Sequence, residues 1–229
     1  MDAEAMPAAE SATQDGGAKR RQVMEGARTI FLSEGFDGAS MNDIARAAGV
    51  SKGTLYVYFD SKEQLFEALI REGKKEQAER LVFPGEPGDA RELLGGFGRR
   101  LIELMTRPEN IAYVRIVIAA TAKFPRLGQA FYEAGPCHGR GNLAAQLVTL
   151  CDTGALEIED AERAAQQFID LCKSGVLNPV LFGVTETVDP REIEVAVDAA
   201  VEVFMRAYGA HAQGMPTEGR AEAGQAASG

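Results

Sequence analysis

Between Ser40 and Phe66 the chain reads "SMNDIARAAGVSKGTLYVYFDSKEQLF", and three helix starts fall inside this one stretch. Ser40 with Asp43 three residues on, Ser51, and Asp60 or Ser61 with Glu63 and Gln64 each place a short polar side chain ahead of a helical segment. There it can bond the N–H groups that a first turn leaves open. Starts this dense leave room only for short helices, Met41 to Ala48 and Lys52 to Tyr58. Gly49 between them can take the left-handed conformation that ends a helix. Two short helices joined by a Gly-containing turn of about three to four residues cross steeply, and small Ala45 and Ala48 permit the close approach.

The rest of the body reads as helix after helix. In Lys19 to Ser33, apolar Val23, Ala27, Ile30 and Phe31 form one stripe and Gly35 supplies the stop. Further helices are expected over 62–82, 90–106, 109–123, 126–150 with a break near Gly135-Pro136, 160–182 and 190–208, with Asp89 and Asp189 as N-caps. No alternating strand run survives, so the chain is read as all-α. Four segments follow: a disordered leader over 1–17, a helix-turn-helix domain over 18–66, a helical ligand-binding and dimerisation domain over 67–209, and a disordered tail over 210–229.

A formal charge of −10 argues against a polyanionic partner only if it is evenly spread. It is not: residues 19–75 carry ten basic and eight acidic side chains, while both flanks are acidic. Phosphate attraction is screened beyond roughly 8 Å in cellular salt, so the local balance decides. The second short helix gathers donors: Lys52, the hydroxyls of Ser51 and Thr54, and those of Tyr56 and Tyr58, with Gly53 allowing backbone to approach backbone. Lys62 begins the third helix beside Tyr58. A helix free to lie in a major groove, bearing these groups, points to double-stranded DNA.

From Lys19 to Leu69, with "GFDGASMNDIARAAGVSKGTLYVYFDSKEQLF", the chain closely resembles the DNA-binding domain of the TetR family of bacterial transcriptional regulators. The resemblance implies an all-helical homodimer that binds a roughly palindromic operator and is released, most often as a repressor, by a small molecule. It implies that Ser40 caps the second helix onto a phosphate, and that Asn42 stands where some members read a base. Lys52, Gly53, Thr54 and Tyr56 would lie at the groove face, with Tyr58 and Lys62 on backbone phosphates. Val57 departs from the aromatic residue common at its position. The segment "YVRIVIAATAKFPRLGQAFYEAGPCHGRGNLAAQL" resembles the C-terminal domain of the AcrR and AefR subgroup.

For the effector, an apolar or aromatic pocket is expected among Phe97, Leu101, Tyr113, Val117, Phe131 and Phe168, touched by polar groups such as Arg115, His138 or Gln167. The last two helical segments, with Ala164, Phe168, Leu171, Gly175 and Leu177 on one and Ile193, Val197, Ala200, Val201 and Phe204 on the other, are expected to face a twofold mate. An enzyme is not expected, because the two histidines, His138 and His211, sit in no Ser/Asp or metal-ligand spacing. Three cysteines without a C-x-x-C spacing suggest neither a metal site nor a disulfide framework, and no cofactor is implied. The longest apolar run is twelve residues with Arg115 inside, too short for a membrane span, and no secretory leader precedes it, which points to the cytoplasm. A helical carrier that binds a small molecule without DNA is the alternative.

Overall fold

The computed structural model describes residues 8–81 and 89–210, with side chains at 16–77, 81 and 89–210. Residues 1–7 of the expected leader, Pro84 and Pro87, and residues 211–229 of the expected tail lie outside them. Eleven α-helices follow in order, with no named strand among the described residues.

The first, α1 (Ala8–Gly38), starts well before the expected Lys19 and breaks at Gly35, whose φ of 72° is the left-handed stop that its sequence position suggested. Then come α2 (Met41–Ala47) and α3 (Lys52–Tyr58), with Gly49 at φ 63° in the turn, and α4 (Lys62–Arg80), which leads out of this head. The body holds α5 (Ala90–Met105), α6 (Pro108–Thr121), α7 (Pro125–Tyr132), α8 (His138–Asp152), α9 (Ala161–Lys173), α10 (Leu177–Leu181) and α11 (Pro190–Tyr208).

Two internal breaks in the body differ from expectation as well. The break expected near Gly135-Pro136 is a π-helical turn, Glu133–Cys137, that carries α7 into α8 without interruption. A wider turn accommodates the missing proline N–H while keeping the helix going. The single helix expected over 160–182 is two, because Gly175 adopts φ 80° and ends the first of them just past Ser174.

The core divides unevenly. One cluster, built on Leu94, Leu143, Leu147, Phe168 and Phe204, fills the body. The other is centred on Phe31, Phe36, Leu55, Leu65 and Phe66 in the head and continues without a gap into Val117, Ala120 and Leu127 of α6 and α7. Aromatic rings carry the junction: Phe66 lies 4.7 Å from Phe31 and 6.4 Å from Tyr113 of α6, and Phe36 lies 5.0 Å from Phe124. The boundary expected at residue 66 falls inside α4, and the hydrophobic core of the head is completed by the body.

The stripe expected to face a second copy belongs largely to the protomer itself. Ala164, Phe168, Ile193, Val197, Ala200, Val201 and Phe204 are all buried where α11 packs on α5 and α9. Facing water instead, α11 presents Val195, Ala199 and Val203, four residues apart, near in sequence to the exposed Phe182 and Val184.

Candidate nucleic-acid interface and internal cavity

The head is assembled by caps and by one tight crossing. Ser40 Oγ accepts from the Asp43 N–H at 3.2 Å, and Ser51 Oγ accepts from the Thr54 N–H at 3.0 Å. Ser61 Oγ accepts from the Gln64 N–H at 3.2 Å while the Gln64 side chain accepts from the Asp60 N–H, one residue before the cap, so two N–H groups at the start of this helix are answered. Between α1 and α2, a Cβ added at Gly26 would lie 2.5 Å from the Ala48 backbone nitrogen, so only glycine allows this approach. Gln22 donates to the Ala48 carbonyl at 2.7 Å and closes the C-terminal end of α2. Gln22 and Gly26 were not singled out from the sequence, since both sit in an ordinary helical pattern and only the partner across the crossing reveals them.

With α2 braced on α1, α3 turns its outer face to solvent. Ser51, Lys52, Gly53, Tyr56 and Val57 are exposed, Val57 at 78%, while Leu55 on the opposite side is fully buried. Thr54 is half-buried, its hydroxyl 2.8 Å from that of Ser51, and Lys52 lies 5.9 Å from the centre of the Tyr56 ring. Tyr58 is half-buried and Asn42 exposed on α2. Lys62 is committed inward. Its ammonium donates to the Phe36 carbonyl at 2.6 Å and the Ala39 carbonyl at 3.0 Å and lies over the Phe36 ring, locking the start of α4 to the turn between α1 and α2. One N–H is left for any outside partner. Arg20 is engaged as well, with Glu72 and the face of Phe59.

In the body, a cavity of about 220 Å³ opens between α4, α5, α6, the π turn, α8 and α9. Of the aromatic and aliphatic groups expected to form a pocket, Phe97, Leu101 and Phe131 line it. Tyr113 lines a smaller polar cleft of about 130 Å³ on the other side of Lys74, and its burial pushes its phenol pKa up to about 12, so it stays protonated at neutral pH. Val117 sits in the core shared with the head, and Phe168 is fully buried at the centre of the body, so neither reaches the cavity.

The polar groups at the cavity also differ from those expected. Arg115 donates to the Leu181 and Val180 carbonyls at 2.9 and 2.7 Å and closes α10, and Gln167 accepts from the Tyr208 hydroxyl. The wall instead offers Lys74, Gln77, Asn110, Asn142, Gln166 and Lys173. Within "REGKKEQ" Lys74 reads as a solvated helix face, and nothing local distinguishes it from Lys75, which is exposed. Cys172 is fully buried, and burial pushes its thiol up to about 12, leaving it an inert core group. Among the described residues no cluster of three or more His, Cys, Asp or Glu is placed to hold a metal ion, and no helix is long and apolar enough to cross a membrane.

The sequence matches two families along its length: bacterial regulatory proteins of the tetR family over residues 23–69, and the AefR-like transcriptional repressor C-terminal domain over residues 92–210. Among solved structures, a TetR-family transcriptional regulator from Mesorhizobium loti superposes with a TM-score of 0.80 at 29% identity, over 85% of this chain and 98% of that one. The flavonoid-responsive regulator FrrA superposes with a TM-score of 0.76 at 34% identity, over 86% of this chain and all of that one. The HTH-type transcriptional repressor Rv1474c of Mycobacterium tuberculosis is 36% identical over 77 residues, which are 34% of this chain and 41% of that protein. The chain thus matches less than half the length of this curated relative.

Proposed function

The chain belongs to the TetR family of bacterial regulatory proteins, and from that premise we propose that it is a homodimeric repressor. It binds a roughly palindromic operator through α3 and is released by an apolar or aromatic molecule in the 220 Å³ cavity. The observation that carries the DNA half is the exposed face of α3: Ser51, Lys52, Gly53 and Tyr56 stand in water on a short capped helix whose other side is fully buried. In a groove, Lys52 and Tyr56 would meet bases or phosphates, Val57 a thymine methyl, and Ser40, Asn42, Thr54 and Tyr58 the flanking backbone and bases. Lys62 acts chiefly as the latch that holds the head in shape, with its remaining N–H available to a phosphate.

Val195, Ala199 and Val203 of α11, with Phe182 and Val184, are exposed apolar side chains of the kind that a twofold pair of body domains would cover. Pairing there would set two α3 helices about 34–36 Å apart, one turn of DNA. FrrA is a flavonoid-responsive regulator, and an aromatic effector of that kind fits a cavity whose wall includes Phe97 and Phe131. Release follows if the occupied body favours a head spacing that no longer matches successive grooves, a coupling of typically about 1–3 kcal/mol that must act reciprocally on DNA and effector.

The test is binding to the DNA upstream of the protein's own coding sequence across roughly 50 to 200 mM salt, in wild type and in Lys52→Ala with Tyr56→Ala. The expected result is nanomolar affinity with a steep salt slope in wild type, and weaker binding with a slope reduced by about one in the variant. Equal, weak binding by both proteins, with no preference over a scrambled duplex, would favour the carrier reading.

A further inference from the structure

The charge of the cavity wall does not match its apolar character. Two lysines line it, Lys74 from α4 and Lys173 from α9, and no carboxylate does among the described residues. Lys173 is already answered, since its ammonium lies 2.5 Å from Asp170 one turn back on the same helix. Lys74 is not. Its ammonium donates to the side-chain carbonyls of Gln77 at 3.0 Å and Asn110 at 2.8 Å, and lies 4.3 Å from the centre of the Phe131 ring. Glu76 and Glu109 reach the polar cleft behind it but form no ion pair with it.

Neutral amide carbonyls and a ring face are weak compensation for a charge taken out of water. Burial accordingly pulls the Lys74 pKa from 10.5 to about 8, with no carboxylate to hold it up. The fold also makes room for this group. The π turn passes over the lysine stem with Gly135, where an added Cβ would come within 3.0 Å of Lys74 Cδ. Asn110 is buried and held by its own bond to the Met105 carbonyl at 2.8 Å, so its oxygen is presented to the ammonium at a fixed place.

Resting on the reading that the cavity is the effector site, we infer that the effector is an acid. It has an aromatic or apolar body lying against Phe97 and Leu101, and one anionic oxygen, carboxylate or phenolate, that pairs with Lys74. The anion takes the place that the Phe131 face occupies weakly and completes the ion pair that Asp170 completes for Lys173. Because Lys74 is on the same helix as Lys62, the pair forms on the one element that runs from the head into the body.

The test uses matched probes and a neutral reporter. N-phenyl-1-naphthylamine fluoresces in apolar cavities, and the chain has no tryptophan to interfere. Cinnamate is compared with cinnamamide, and 4-nitrophenolate with 4-nitroanisole, as displacers of the reporter from wild type and from Lys74→Met, with Lys74→Gln as a second variant should the first not fold. The expected result is that each anion displaces the reporter about ten- to hundred-fold better than its neutral partner in wild type. In the variants that preference, read as the ratio of charged to neutral displacement within each protein, disappears. If only the carboxylate or only the phenolate shows the preference, the effector is an acid of that one kind. A reporter that binds but is displaced equally by charged and neutral partners, or a preference that survives loss of Lys74, overturns the acid and leaves the cavity standing. A reporter that does not bind, or binds equally to a cavity-filling Leu104→Trp variant, removes the cavity reading and the acid with it.

Discussion

The two ends of α4 hold the same chemistry and use it differently. At the head end Lys62 gives two hydrogen bonds to carbonyls and covers the Phe36 ring at 4.6 Å; in the body Lys74 gives two hydrogen bonds to carbonyls and covers the Phe131 ring at 4.3 Å. The acceptors differ. Phe36 and Ala39 offer backbone oxygens from the turn where α1 ends, a place that gains from a cation. Gln77 and Asn110 offer side-chain oxygens at the edge of an apolar cavity, where the charge is poorly solvated. One lysine closes a structure, and the other keeps an unanswered charge at a cavity wall. Donor counts alone do not separate them; the environment of the acceptors does.

The larger effect is expected at the closed end. Lys62→Met leaves the Phe36 and Ala39 carbonyls without their charged donor and should cost about 2–3 kcal/mol in urea unfolding, with DNA binding weakened through the misplaced head. A loss under about 0.5 kcal/mol would mean that the latch is an ordinary surface contact and that the two ends of α4 are alike.

A smaller effect, with a distinct pH signature, is expected at Lys74. Its pKa in the folded protein, about 8, lies below the unfolded value of 10.5, so between those limits the unfolded chain binds more protons and stability rises with pH. Below about 8 both states carry the charge and the burial penalty is constant. Wild type should therefore gain roughly 1–2 kcal/mol on Lys74→Met as pH rises through this window, after discounting for partial exposure. Parallel pH profiles for the two proteins would show that Lys74 is solvated after all.

The same contrast describes what could be read from the sequence. The head was legible because its determinants are local: Ser40, Ser51 and Ser61 announce their helices within three residues, and Gly49 supplies the turn. The helix ends at Pro108, Pro125 and Pro190 and the cap at Asp89 were legible for the same reason. What escaped depends on distant partners. Gly26 matters only because Ala48 crosses it, and Lys74 only because Asn110, from another helix, and the π turn enclose it. Val117 and Phe168 could not be told from pocket residues because an apolar helical stripe looks the same whether it lines a cavity or fills a core. The exposed row of Val195, Ala199 and Val203 was hidden by the stronger stripe on the other side of α11.

The claim on which the rest depends is that α3 reads duplex DNA in pairs, and selection from sheared genomic DNA tests it whatever the operator sequence. Fragments retained by wild type and by the Lys52→Ala, Tyr56→Ala variant would be sequenced side by side. The account predicts that wild type enriches an inverted repeat whose half-site centres lie about 10 base pairs apart, or a multiple of that, and that the variant loses it. Retention of the same fragments by both proteins, or enrichment of none, would contradict it.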